Sequence, residues 1–197
     1  MLLDIVILPS AKLRKRLGNI ALKANRICKS SCLVDNRKLI PHCSLFHINT
    51  SAARIPKLYK IVRQLATLYS AVQLKAKGCY MSEEKWLDFP LIGYGSLKKF
   101  RTNIIMSCAT MCTGMMPPWG HRSLTNQEKL MRAKYGVSNN PYIYRPHITI
   151  GRFNPKCIGL VNKYLQKIKF SFKANNIAIC QVNKNWQVTR MIKQFKV

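Results

Sequence analysis

At 197 residues the chain suits one domain of two lobes and can bury a sizeable core without staples. A hydrophobic fraction of 48% excludes general disorder, and no apolar run approaches the ~20 residues that a membrane span needs. Thirty-four Lys and Arg against six acids give a net charge of +28, a field that draws polyanions: RNA or DNA first, an anionic membrane surface second. Charge alone does not choose the partner, because lysine also simply decorates helix surfaces.

The first segment, MLLDIVILPS, has an early acid, Asp4, and no basic leader, so it reads as a buried strand over Leu3 to Leu8 rather than a secretory signal. The basic, acid-poor stretch from Lys12 to Lys38 leaves a transit peptide open. The spacing of Leu13, Leu17, Ile20, Ala21, Ala24 and Ile27 favours a helix over Ala11 to Cys28. A strand is expected over Leu39 to Ile48, then a helix over Ala53 to Tyr69 with Pro56 in its first turn. Strands over Val72 to Met81 and Lys85 to Ile92 follow, and then a helix capped by Ser96. After the irregular TGMMPPWGHRSL come a short helix over Asn126 to Lys134 and a strand over Arg145 to Phe153. The next helix is expected to take Asn154 as cap and Pro155 as its first residue. Strands over Phe170 to Val182 and Trp186 to Phe195 close the chain around an NKN turn.

Eight cysteines without a small-scaffold framework suggest buried, inert thiols and a cytoplasmic, intracellular setting. Cys28/Cys32 and Cys108/Cys112 have the i,i+4 spacing of one helix face. A closely spaced CxxC knuckle is absent, which disfavours zinc.

One layout occurs twice. Strand, helix, strand, strand runs from Leu39 to Ile92 and again from Arg145 to Phe195. The first strand of each block carries histidine, any residue, then a hydroxyl: PHCSLFHI at His42 and Ser44, PHITIGRF at His147 and Thr149. Residues i and i+2 share a strand face, so each histidine points with its hydroxyl. If the two strands face one another, two imidazoles and two hydroxyls line one groove. One neutral imidazole can take a proton from an attacking oxygen while the other, protonated, gives one to a leaving oxygen. The hydroxyls would donate to non-bridging phosphate oxygens. Nearby Lys and Arg would lower the imidazole pKa in the empty site.

The pair of motifs resembles the two signatures of the 2H phosphoesterase superfamily, which includes 2′,5′-RNA ligase-like proteins and RNA 2′,3′-cyclic phosphodiesterases. The resemblance implies an α+β bilobal fold: two antiparallel sheets related by a pseudo-two-fold axis, flanking helices, and a central groove in a single domain over 1–197. It implies His42 and His147 as the catalytic pair, with Ser44 and Thr149 on the phosphate. No cofactor and no metal are implied. The expected reaction is hydrolysis of a 2′,3′-cyclic phosphate to a 2′-phosphate. The expected partner is RNA or an oligonucleotide with a terminal phosphate, with no membrane, bound by a monomer. Alternatives are an enzyme of the same family acting on 2′,5′-oligoadenylate or RNA 3′ tails, and a non-catalytic basic RNA-binding protein of the same fold.

Secondary candidates surround the motifs. Phe46 shares the strand face of Ser44 by simple alternation and can stack a base. Arg145 shares the face of His147, Arg152 alternates away from it, and both can meet phosphate. Tyr142 and Tyr144 precede the second motif, and one can flank a base. His47, an odd step from His42, is expected on the opposite face. Trp119, His121 and Arg122 give PPWGHR the mixture of a nucleic-acid loop. The basic runs KLRKR and SLKKFR read as solvated helix faces.

Overall fold

The computed structural model describes residues 1–82, 84–114, 124–136 and 144–197. Trp119, His121, Arg122 and Tyr142 lie outside them. The strands are β1 (Leu2–Ile7), β2 (Ser30–Leu33), β3 (Cys43–Asn49), β4 (Gln73–Lys77), β5 (Tyr80–Met81), β6 (Trp86–Ile92), β7 (His147–Phe153), β8 (Lys169–Lys173), β9 (Asn176–Val182) and β10 (Val188–Lys196). The helices are α1 (Ala11–Ile27), α2 (Ile55–Thr67), α3 (Gly95–Cys108), α4 (Asn126–Tyr135) and α5 (Ile158–Leu165). Two antiparallel sheets result: β10-β9-β1-β3, and β2-β7-β6-β4-β8 with β5 also on β6. The architecture is α+β, as expected.

The two sequence blocks do not make the two sheets. The first sheet joins β3 from the first block to β9 and β10 from the second. The second sheet joins β7 and β8 to β4, β5 and β6. Helix α3 packs on β3 and α2 on β10, while α1 packs on β7 and α5. Apolar positions from both sheets and their helices form the core, with Leu3, Ile5, Leu74, Phe89, Ile148 and Ile150 fully buried. Strands β3 and β7 meet where the sheets approach.

Several boundaries move for local reasons. Leu39 to Pro41 form a loop, so His42 precedes β3. Helix α3 starts at Gly95 after Tyr94, without the expected Ser96 cap. Asn154 closes a turn instead of capping α5: its Oδ1 accepts from the Lys156 N–H at 2.9 Å, and the helix begins at Ile158. Strand β2 was not expected. It pairs with β7, and a Cβ on Gly151 would sit 2.6 Å from the Cys32 carbonyl oxygen, so β2 can lie there only against glycine. Pro90 sits in an interior strand, yet its missing N–H falls where β6 changes partner from β4 to β5.

Packing of α1 on α5 brings Cys28, the α1 C-cap, to Cys157, the residue before α5, and the two form a disulfide. This corrects the expectation of inert thiols for that pair. Cys32 lies in β2, so Cys28 and Cys32 share no helix face. Among the described residues no helix is long and apolar enough to cross a membrane.

Candidate active site

The two motif strands break the simple alternation at the same place. In β3, Ile5 pairs with Phe46 and Val6 with Ser44, so Leu45 bulges. In β7, Leu87 pairs with Gly151 and Asp88 with Thr149, so Ile150 bulges. Each bulge follows directly on the motif hydroxyl. One inserted residue reverses the alternation beyond it. His47 therefore shares the side of Ser44, against expectation, and Phe46 turns to the core, 2% exposed. Phe46 cannot stack a base.

Asp4, on β1, collects the first motif. The Ser44 hydroxyl donates to its Oδ2 at 2.6 Å, His47 Nε2 lies 3.1 Å from the same oxygen, and His42 Nε2 lies 3.7 Å away. Asp88, on β6, stands in the same relation to the second motif, and the Thr149 hydroxyl donates to its Oδ1 at 2.7 Å. Tyr80 adds to this half. It stands opposite Asp88 where β5 pairs with β6, and its ring stands edge-on to His147 at 6.5 Å between centroids. Burial, then the Asp88 charge, pushes the Tyr80 hydroxyl pKa up.

The histidines share a further device. His42 Nδ1 lies 2.7 Å from the Ile40 carbonyl oxygen, and His147 Nδ1 lies 2.9 Å from that of Arg145. A carbonyl only accepts, so each Nδ1 carries the proton and each neutral ring has a bare Nε2. The environments differ. His42 is 6% exposed and His147 half-buried. Burial lowers the His42 pKa, the Asp4 carboxylate opposes this, and His47 and His147 lower it further. Burial, not the expected Lys and Arg, is thus the main cause.

Tyr144 is buried, and its hydroxyl donates to the Ser44 carbonyl at 3.0 Å and lies 3.3 Å from Cys43 Sγ. It straps the approach to β7 onto β3 and is not available to flank a base. Over its ring, 4.8 Å from the centroid, lies the Arg101 guanidinium. Arg101 is buried, although SLKKFR reads as a solvated face, and its Nε donates to the bulge carbonyl of Leu45 at 3.1 Å. Arg145 is exposed beside Tyr80. Arg152 is exposed at the far end of β7, with its Nε on the Glu84 carbonyl at 2.9 Å.

Asp4, Asp88, Tyr80 and Arg101 escaped sequence reasoning. One signal was present: two of only six acids stand inside apolar strands, in LLDIVI and WLDFPLI. An acid there needs a polar partner.

No protein-family model and no curated protein matches the chain. Solved structures do match over its whole length. A protein of Thermus thermophilus superposes with a TM-score of 0.67 at 12% identity, covering 100% of this chain and 97% of that one. A protein described as a phosphoesterase gives 0.59 at 9% identity, with 100% and 98% covered. E. coli LigT, complexed with 3′-AMP, gives 0.52 at 10% identity, with 99% and 96% covered. The chain has a LigT-like fold. Within this LigT-like fold both sheets contain the order of a motif strand, a neighbouring strand bearing a buried aspartate, then two further strands, with β2 added beyond β7 in the second sheet.

Proposed function

We propose that this chain is a 2H phosphoesterase that opens a terminal 2′,3′-cyclic phosphate on RNA or an oligonucleotide to a 2′-phosphate. One observation carries the reading: the half-site is built twice. In each copy a histidine is fixed through Nδ1 to the carbonyl two residues back, and a hydroxyl is fixed to a buried aspartate. The strand bulges at the next residue in both copies. The phosphoesterase among the fold relatives and the 3′-AMP bound to LigT support a phosphoester of a nucleotide.

The reaction uses both halves. Water attacks phosphorus, the bond to O3′ breaks, and the products are a 2′-phosphomonoester and a free 3′-hydroxyl. His42, held neutral by burial, takes the water proton on Nε2. His147, protonated, gives its Nε2 proton to O3′. Ser44 and Thr149 each have one proton, and in the free protein it goes to Asp4 and Asp88. Binding of a phosphate oxygen therefore exchanges that bond for one to the substrate.

The test replaces His42 and His147 separately with Ala and assays 2′,3′-cyclic nucleotides and short cyclic-phosphate RNAs in EDTA. Each variant should lose on the order of 10²–10⁴-fold in rate. Full activity in either variant, or loss of wild-type activity in EDTA, refutes the mechanism.

A further inference from the structure

Directly opposite residues in antiparallel strands share a face. His147 pairs with Pro90 and Thr149 with Asp88; further along β6, Ile92 pairs with Lys75. Across the next interface Lys75 pairs with Ser171, Lys77 with Lys169 and Gln73 with Lys173. The face that carries His147 and Thr149 therefore continues, strand by strand, into Lys75, Lys77, Lys169 and Lys173. All four lysines are exposed, while the alternate residues Leu74, Ala76, Phe170 and Phe172 are buried. Lys77 directly follows Ala76, the last β4 residue paired with β6, and stands opposite Lys169.

This array works against folding. Lys77 stands directly opposite Lys169, and like charges so placed destabilise a sheet. Among the described residues none of the four lies within ion-pair distance of a carboxylate. Protection of an exposed edge accounts for lysines on β8. It does not account for those on β4, which is paired on both sides.

We infer that the open face of β4 and β8 is a binding track for the phosphodiester backbone of single-stranded RNA, leading to the phosphate held at His147. The inference rests on the proposed reaction for the direction of the strand, but its binding can be read without turnover. From β7 to β8 there are three strand spacings, about 14 Å. That length holds about four stacked nucleotides at about 3.4 Å each.

The experiment uses a fluorescent single-stranded RNA of about ten nucleotides, ending in a 3′-phosphate, titrated at several salt concentrations. One variant carries Lys75→Gln, Lys77→Gln, Lys169→Gln and Lys173→Gln. A control carries Lys57→Gln, Lys60→Gln, Lys98→Gln and Lys99→Gln on α2 and α3, the same change of charge elsewhere on the surface. The track variant should bind more weakly at low salt, by on the order of tenfold or more, and its log–log salt slope should be shallower by about 2.8. Its melting temperature should hold or rise. The control should stay near wild type in affinity. Equal losses in both variants, an unchanged slope, or an effect on anionic vesicles without one on RNA overturns the inference. If wild type binds RNA through these lysines but hydrolyses no cyclic phosphate, the proposed reaction falls and the track stands.

Discussion

Ser44 Oγ lies 2.6 Å from Asp4 Oδ2, so the only proton of the motif hydroxyl points at a fully buried carboxylate. The same carboxylate raises the pKa of His42 against the larger effect of burial. Asp4→Asn keeps the shape and removes the charge. The His42 pKa should then fall further, and the acid limb of the pH–rate profile should move to lower pH. NMR titration of the His42 ring checks this directly. A limb that stays put or moves upward shows that Asp4 does not act on His42.

The burial of His42 also has a consequence for stability. Its folded pKa lies below the ordinary value of about 6.5, so between the two values the unfolded chain binds more protons. The stabilisation is complete above about pH 6.5 and is lost as the pH falls below it. Urea unfolding near pH 7.5 and near pH 5.5 should show wild type losing stability on acidification, and His42→Asn losing less. Equal losses would assign the pH dependence to other groups.

Thr149 tests whether the hydroxyl serves the transition state or only the fold. Thr149→Val removes a hydrogen bond to the charged Asp88, worth about 1.5–3 kcal/mol of stability. If the hydroxyl also turns to the phosphate, kcat should fall on the order of 10²–10³-fold. Thr149→Ser should restore both. A loss of stability with kcat intact would leave Thr149 a structural role alone.

The motif histidines and hydroxyls were legible because they recur in chain order, and the fold class because its apolar periodicity is strong. The facing of His47 and Phe46 was not. A bulge at Leu45 costs one residue of register and leaves no mark in composition, so alternation counted from His42 placed both on the wrong side. Nor could the exchange of strands between the two blocks be read, since β3 is followed by a helix that carries the chain to the other sheet. The Cys28–Cys157 disulfide joins residues 129 apart, a distance at which spacing says nothing. Asp4 and Asp88 were visible as acids in apolar strands, but their partners appear only when β1 lies beside β3 and β6 beside β7.

Arg101 ties the β3 bulge to the approach of β7. Its Nε donates to the Leu45 carbonyl, which the bulge leaves outside the ladder, and its guanidinium covers the Tyr144 ring. Tyr144 in turn holds the Ser44 carbonyl through its hydroxyl. Arg101→Met keeps apolar bulk over the ring but orphans the Leu45 oxygen, a loss of about 1–3 kcal/mol. Arg101→Lys should not recover it, since a lysine lacks the planar fork that donates and stacks at once. Both variants should also lower kcat, because Ser44 and His147 are held in place through this strap. Unfolding in urea and a pH–rate profile on the same proteins separate the two effects. A variant destabilised to this extent but with full kcat would show that the strap supports the fold and not the alignment of the two half-sites.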